Sequence, residues 1–538
     1  MFPTGRKNSG DTRSKSSLHW VKQCIERCLN NHSRCHRTFK RIMPTRVLDV
    51  GLNDGKIIKL SDSILRDDRY VCLSHCWGNS RALLTTKENL QLHRDGIHFD
   101  MFPRTFQDAI TFCRSLGVRY IWIDSLCIIQ NDALDWERES GIMASIYENS
   151  YVTVSATHSP NSHTGCFSSR PFFSSTDSSN GQRHHIYARP QIVHPNNTVW
   201  KFHTLPLMNR GWVYQERILS PRVIHFGHQE LAWECREVAD CECSEFSERL
   251  HVQLKELIYT TKKPDHQAVS SAWRRAVQEY TILDLTLPSD RLPALSGLAQ
   301  AVLRLNPSDE YLAGLWRHSL SIDLLWFVSP QGNTTPMRPS GYAPSWSWVS
   351  VSCPVKFVDI FEGDREWELI ESYFQLVDAR CTSIGTNTTG EVASGQLVVS
   401  GTTVPVSIEW NTTARGSTVH IRGIPFTYVD HSDLEIDSRS NFFRVDLRKE
   451  DFQKLLQDVE NKIYCLRVSR CKTVFGEREY GLALRCIDLD HQVYERIGLM
   501  AEMRMFSSSV DYKDATDVWG SSPCAFAIPN AQRTITII

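Results

Sequence analysis

A chain of 538 residues exceeds what one ordinary hydrophobic core organises, so two or three domains are expected; 41% hydrophobic and 22% charged residues place it among folded globular proteins. Lys+Arg 60 against Asp+Glu 61 leaves a formal net charge of −1, which supplies no general attraction to nucleic acid or to an anionic membrane. The 15 Trp need either a core or a ligand face, and the 17 Cys read as small buried hydrophobes or occasional ligands rather than as a disulfide framework.

Residues 1–17 are polar and Ser-rich and lack the apolar stretch of a secretory signal. No apolar run approaches membrane-spanning length, so a disordered start and a cytoplasmic location are expected. Leu18 to His36 reads as a docking helix, and a link through Pro44 and the Gly/Asp-rich Asp49 to Gly55 leads to the first apolar strand. From Tyr70 to Phe226 strand-like and helix-like blocks alternate, the pattern of a parallel sheet covered by helices. The strands are expected at Arg69 to Ser74, Val118 to Ile123, Tyr151 to Ala156 and Arg222 to Phe226; several are nearly continuous apolar runs, as strands covered on both faces should be.

The clearest helix has Thr105 as its N-cap, Phe106, Ala109, Ile110, Cys113 and Leu116 on one face, and Gly117 at its end. A second starts at Asp135 with Trp136, Met143, Ile146 and Tyr147 at matching spacing, and a third runs from Gly211 to Leu219. Ser168 to Asn180 reads as a loop, as does Gly385 to Gly390. Residues 18–244 therefore form an α/β domain with an N-terminal helix, 245–329 a helical extension including Leu298 to Leu305, and 330–538 a β-rich accessory domain. In the last of these, Val404, Val406, Ile408 and Trp410 alternate with polar or turn residues, and the tail Thr534 to Ile538 is β-prone.

No G-x-G-x-x-G, H-E-x-x-H or G-x-S-x-G signature is present, and the phosphate-loop-like Gly385 to Glu391 ends in a carboxylate where a lysine is needed. Cys24, Cys28, His32, Cys35 and His36 are metal-ligand types, yet on one helix Cys24 to Cys35 spans roughly 16 Å, too far for one zinc shell. The segment is read as a structural helix with no metal. Ligation would require it to dock near Cys235, Cys241 or Cys243.

Three blocks carry a specific pattern: YVCLSHCWG (Tyr70 to Gly78), YIWIDSLCIIQND with the following DWERESGIMASIYENSYVTVSA (Tyr120 to Ala156), and RGWVYQERILSPRVIHF (Arg210 to Phe226), followed by Trp233-Glu234-Cys235. In this order they resemble the signature of the heterokaryon incompatibility (HET) domain, with His75 where that family usually has Tyr. LPALSGLA (Leu292 to Ala299), YLAGLW (Tyr311 to Trp316) and APSWSWVS (Ala343 to Ser350) resemble extensions that often follow it in filamentous-fungal proteins.

The resemblance implies an intracellular cell-death role in non-self recognition, self-association through the domain, and activation by an upstream sensor or incompatibility protein. It also implies a distant likeness to Toll/interleukin-1 receptor (TIR) domains, some of which cleave NAD while others are assembly scaffolds. On that likeness Glu216, four residues after Trp212, takes the place of the catalytic carboxylate; Glu139 is the second carboxylate considered. Ser74 and Asp124, at the ends of predicted parallel strands, would line the ligand crevice, with Trp77 and Trp212 stacking on a flat ring and Arg210 meeting a phosphate. NAD would be a substrate, and no cofactor is implied. A bracing ion pair of Glu216 with Arg217, Arg222 or another base, core roles for Trp77, Trp122 and Trp212, and a capping role for Asp124 stand beside these readings.

Overall fold

The structure, a computed structural model, describes residues 7–36, 42–53, 55–62, 68–78, 83–170, 173–179, 182–188, 205–244, 247–249, 253–260, 264–329, 338, 343–361, 367–406, 408–413, 416–421, 424–428, 441–457, 462–473, 476–505 and 531–538. The chain divides into two compact units, Met1–Pro264 with Leu283–Leu285 and Ala294–Leu305, and Asp265–Ile282 with Thr286–Pro293 and Asn306–Ile538.

The first unit begins with helix α1 (Lys15–Asn31), followed by strands β1 (Val47–Asp49), β2 (Ile57–Ser61) and β3 (Tyr70–Ser74). Helix α2 (Leu90–Asp95), strand β4 (Ile97–His98), helix α3 (Arg104–Ser115), strand β5 (Tyr120–Trp122) and helices α4 (Asp124–Cys127) and α5 (Ala133–Glu148) come next. Strands β6 (Val152–Ser155), β7 (Phe173–Ser179) and β8 (Gln182–Ala188) precede helix α6 (Gly211–Leu219). Strands β9 (Arg222–Phe226), β10 (Leu231–Cys235), β11 (Val238–Cys241) and β12 (Ser247–Arg249) and helix α7 (Gln253–Ile258) follow.

Ten strands join in the order β12-β11-β10-β9-β6-β3-β5-β1-β2-β4. Only the centre is parallel: β5, β3, β6 and β9 pair side by side in one direction. Numbered by their own succession, these four lie in the order 2-1-3-4, which puts the topological switch point at β3, where open α/β sheets take ligands beyond the carboxyl ends. The expected parallel sheet is thus present in these four strands and is extended by antiparallel ones. Antiparallel β1, β2 and β4 extend one side and the β9 to β12 meander the other; β1–β2 and the meander are joined by short connections, whereas β2 meets β4 and β1 meets β5 across long stretches of chain. β3, β6 and β9 are buried along their whole length, in keeping with their continuous apolar runs.

Local chemistry shifts several helix starts. Pro103 caps α3, while the Thr105 hydroxyl accepts from the Gly165 amide at 3.1 Å, so Thr105 ties a loop to the helix rather than capping it. The side chain of Asp132 caps α5 at the amides of Leu134 and Asp135; Asp135, expected to open that helix, turns inward to Arg46 and Arg138. Trp136 is 40% exposed and lies off the buried face on which it was placed. The loop expected at Ser168 to Asn180 contains β7, which pairs with β8 as a hairpin; Asn180 itself lies outside the described residues. The helix expected from Leu18 begins at Lys15, and residues of the start expected to be disordered are held by an Asp11–Ser169 bridge and a Thr12 to Ser168 hydrogen bond of 3.0 Å.

In the second unit, helix His266–Thr281 buries Arg274 between Asp323 (2.7 Å) and Asp359 (2.6 Å). Strand Trp326–Val328 pairs with Val355–Phe357 across residue 330, so no unit boundary falls there, and Pro330 lies outside the described residues. The β-rich expectation is met by an eleven-stranded sheet around Val404, Phe443, Val445, Cys465 and Met500. Gly385 to Gly390 joins two of its strands as a turn, and Gln532–Ile537 pairs along Val392–Val406.

Candidate functional site

Ser74 is the last residue of β3 and Asp124 stands two residues beyond β5, so both occupy the carboxyl edge of the parallel strands at the switch point. Helix α6 brings Glu216 to the same place. Its N-terminus is anchored by the Gly211 amide on the Asp284 carbonyl at 2.9 Å, and its end by the Ser220 hydroxyl on the Glu216 carbonyl at 2.6 Å. Gln215 accepts from the Gly297 amide at 3.2 Å.

The Glu216 carboxyl is 7% exposed. Burial, helped by Asp124, outweighs the lowering pull of the Ser74 hydroxyl, the Arg210 guanidinium and the Tyr147 hydroxyl, and the net effect raises its pKa to about 7. The Ser74 hydroxyl and Glu216 Oε2 nevertheless complete no hydrogen bond in good geometry, leaving two polar groups facing each other with capacity for a further partner. The ion pairs considered for Glu216 are not formed. Arg217 is taken by Glu234 at 2.6 Å, and Arg222 donates to the Tyr151 carbonyl at 2.7 Å. The second carboxylate, Glu139, is fully buried and held by Arg138 at 3.2 Å and Arg46 at 3.8 Å in a bracing network with Asp135.

Around this centre, the Trp77 indole donates to Asp124 Oδ2 at 2.9 Å, and Asp124 Oδ1 accepts from the Ser125 amide at 2.7 Å. Asp124 is the first residue of α4, whose N-cap position is Ile123 with no side-chain cap, and its carboxylate faces the site. Arg210 is half-buried and its Nη1 donates to the His75 carbonyl at 3.3 Å. Trp212 is partly buried and packs against the core, and Trp122 is fully buried beside Tyr147, which agrees with the core reading of Trp122. His75 is buried edge-on against Phe106, its Nδ1 3.8 Å from Asp124, and burial lowers its pKa. Sequence reading missed Tyr147 as a site group, because its apolar spacing on α5 marks it only as core; His75 it set aside for departing from the usual Tyr.

Ser74, Asp124, Arg210 and Glu216 are thus gathered, Trp77 reaches the group through Asp124, and Trp212 packs partly buried against the core. The arrangement offers the carboxyl groups of Glu216 and Asp124, two hydroxyls and one guanidinium at the carboxyl edge of the parallel strands. An α/β module with this motif order defines the class to which the segment belongs: residues 70–216 match the family model described as heterokaryon incompatibility protein (HET). The match runs from the first residue of β3 to Glu216 itself, so this part of the chain is a HET domain. No match was found among curated proteins or solved structures.

The Cys/His segment also differs from its expected form. Helix α1 stops at Asn31, His32 leaves helical geometry, and a 3-10 turn (Ser33–His36) folds Cys35 back toward Cys28. The straight-helix span that argued against a shared shell does not apply.

Proposed function

We propose that this chain acts as a cell-death effector in heterokaryon incompatibility or a related non-self response, and that its HET domain does so by cleaving NAD at Glu216. The observation that carries the reading is the convergence of Glu216, Ser74, Asp124 and Arg210 at the carboxyl edge of β3 and β5. Nicotinamide in NAD is already a cationic leaving group, so the bond from ribose to ring nitrogen can break without a general acid. An oxocarbenium-like charge then develops on the ribose, and the Glu216 carboxylate would stabilise it. Water adds to the ribose carbon, giving ADP-ribose, neutral nicotinamide and a proton. Ser74 and Asp124 would hold the ribose hydroxyls, Arg210 a phosphate, and Trp77 would stack on a ring.

A second reading is favoured by the depth of Glu216: the same helices make homotypic contacts and other proteins execute death. NAD consumption by concentrated purified protein, wild type beside Glu216→Gln with folding checked by circular dichroism, separates the two. Cleavage is expected in the wild type and at least a hundredfold less in the variant, about 2.7 kcal/mol in the barrier. No cleavage by oligomeric protein that kills cells would favour the scaffold, and equal cleavage by both proteins would assign the chemistry to another carboxylate.

A further inference from the structure

Helix α1 lies along the β10 strand with Val21, Cys24, Ile25 and Cys28 in the core, and this docking brings Cys235, at the end of β10, to the end of the helix. One ligand atom from each of Cys28, His32, Cys35 and Cys235 lies within 4.8 Å of all the others. His32 Nδ1 is 3.3 Å from Cys235 Sγ. In a tetrahedral zinc shell, ligand bonds of about 2.0–2.3 Å put neighbouring ligand atoms roughly 3.3–3.8 Å apart, so these groups need only small shifts to close on one ion. The three cysteines are buried and none is in a disulfide.

The surroundings suit thiolates. The Glu237 and Val238 amides, in the turn from β10 to β11, point at Cys235 Sγ at 3.5 and 3.3 Å. Arg222 Nη1 lies 3.8 Å from Cys28 Sγ. Three thiolates and a neutral imidazole on a dication leave one negative charge, which the guanidinium and the amides offset.

We propose that Cys28, His32, Cys35 and Cys235 bind one structural Zn²⁺, which staples the N-terminal helix to the β10–β11 turn at the side of the sheet. Three thiols release their protons on binding, so uptake is coupled to pH and to folding of the unit. All four positions come from the protein, which makes the site closed and distinguishes it from a catalytic zinc that keeps an open place for water. The cluster is independent of the Glu216 chemistry.

The test is zinc content of the full chain purified from zinc-supplemented cells in metal-free buffer, with Cys235→Ser, Cys35→Ser and, as a control, Cys24→Ser, whose sulfur lies outside the group. About one zinc per chain is expected in the wild type and the control, with loss in the other two. Because a ligand variant can misfold, the wild type is also stripped and reloaded with Co²⁺. Strong visible bands of tetrahedral cobalt with a near-ultraviolet thiolate charge-transfer band are expected. Substoichiometric zinc together with a six-coordinate cobalt spectrum, a Cys28–Cys35 or Cys28–Cys235 disulfide in the isolated protein, or equal zinc loss in Cys24→Ser would overturn the assignment.

Discussion

Glu216 and Glu234 are both buried acids, and their surroundings push them in opposite directions. Burial would raise Glu234 too, but Arg217 at 2.6 Å and Lys255 at 2.8 Å hold it well below the usual carboxylate range. Glu216 has no such partner, so burial dominates and lifts it from 4.5 to about 7. The sign of the linkage follows. Between these values the unfolded chain has released a proton that the folded chain retains, so stability falls as pH rises through this window and levels off above it. The whole shift corresponds to roughly 3 kcal/mol. Glu216→Gln removes the titration. The variant should match the wild type near the lower end of the window and melt higher than it above the upper end; parallel melting curves across that range would show that Glu216 is ionised in the fold. If the carboxylate is the working form, NAD cleavage should rise with pH through the same upper value.

Among the elements, helix Pro293–Leu305 shows packing overruling propensity. Ala suits a helix interior better than Gly by about 1 kcal/mol, yet a Cβ at Gly297 would sit 2.2 Å from Ala144 Cβ on α5 and 2.9 Å from Gln215 Oε1 on α6. The glycine sets how closely this helix approaches the two that flank the candidate site. Gly297→Ala should therefore destabilise the first unit by about 1–3 kcal/mol. Urea unfolding measures it, and an unchanged or raised midpoint would mean that the helices separate freely. The apolar period marks Leu298 to Leu305 of this helix, which begins at Pro293, and nothing in that period shows that one glycine position is a contact. The same limit explains Trp136: its spacing fits the α5 stripe, while its exposure depends on where neighbouring elements end.

For the whole molecule, composition changes near residue 330, whereas the contacts do not. Trp326–Val328 pairs with Val355–Phe357, Arg274 reaches Asp359, and the Trp326 indole donates to the Trp346 carbonyl at 2.9 Å. A chain ended at residue 329 would leave Arg274 with one of its two carboxylates and the Trp326 strand unpaired. Such a truncation should aggregate where the full chain remains dispersed, as sedimentation would show; a monomeric, cooperatively melting fragment would contradict the unit assignment. Among the described residues no helix is long and apolar enough to cross a membrane.

What the sequence determined alone was whatever depends on short range: the apolar runs of β3, β6 and β9, the bounds of α6, and the three motif blocks that mark the HET domain. It also placed Ser74 and Asp124 at strand ends, because a strand's limit is written in local composition. Tertiary structure decided which distant groups meet. Only the docking of α1 on β10 brings Cys235 to Cys28, His32 and Cys35, and only the packing of α5 and α6 over the strand ends turns Tyr147 toward Glu216. On the β1, β2 and β4 flank the same reason applies: β1 meets β5 and β2 meets β4 across long stretches of chain, and strand pairing rather than local preference holds these short segments in place.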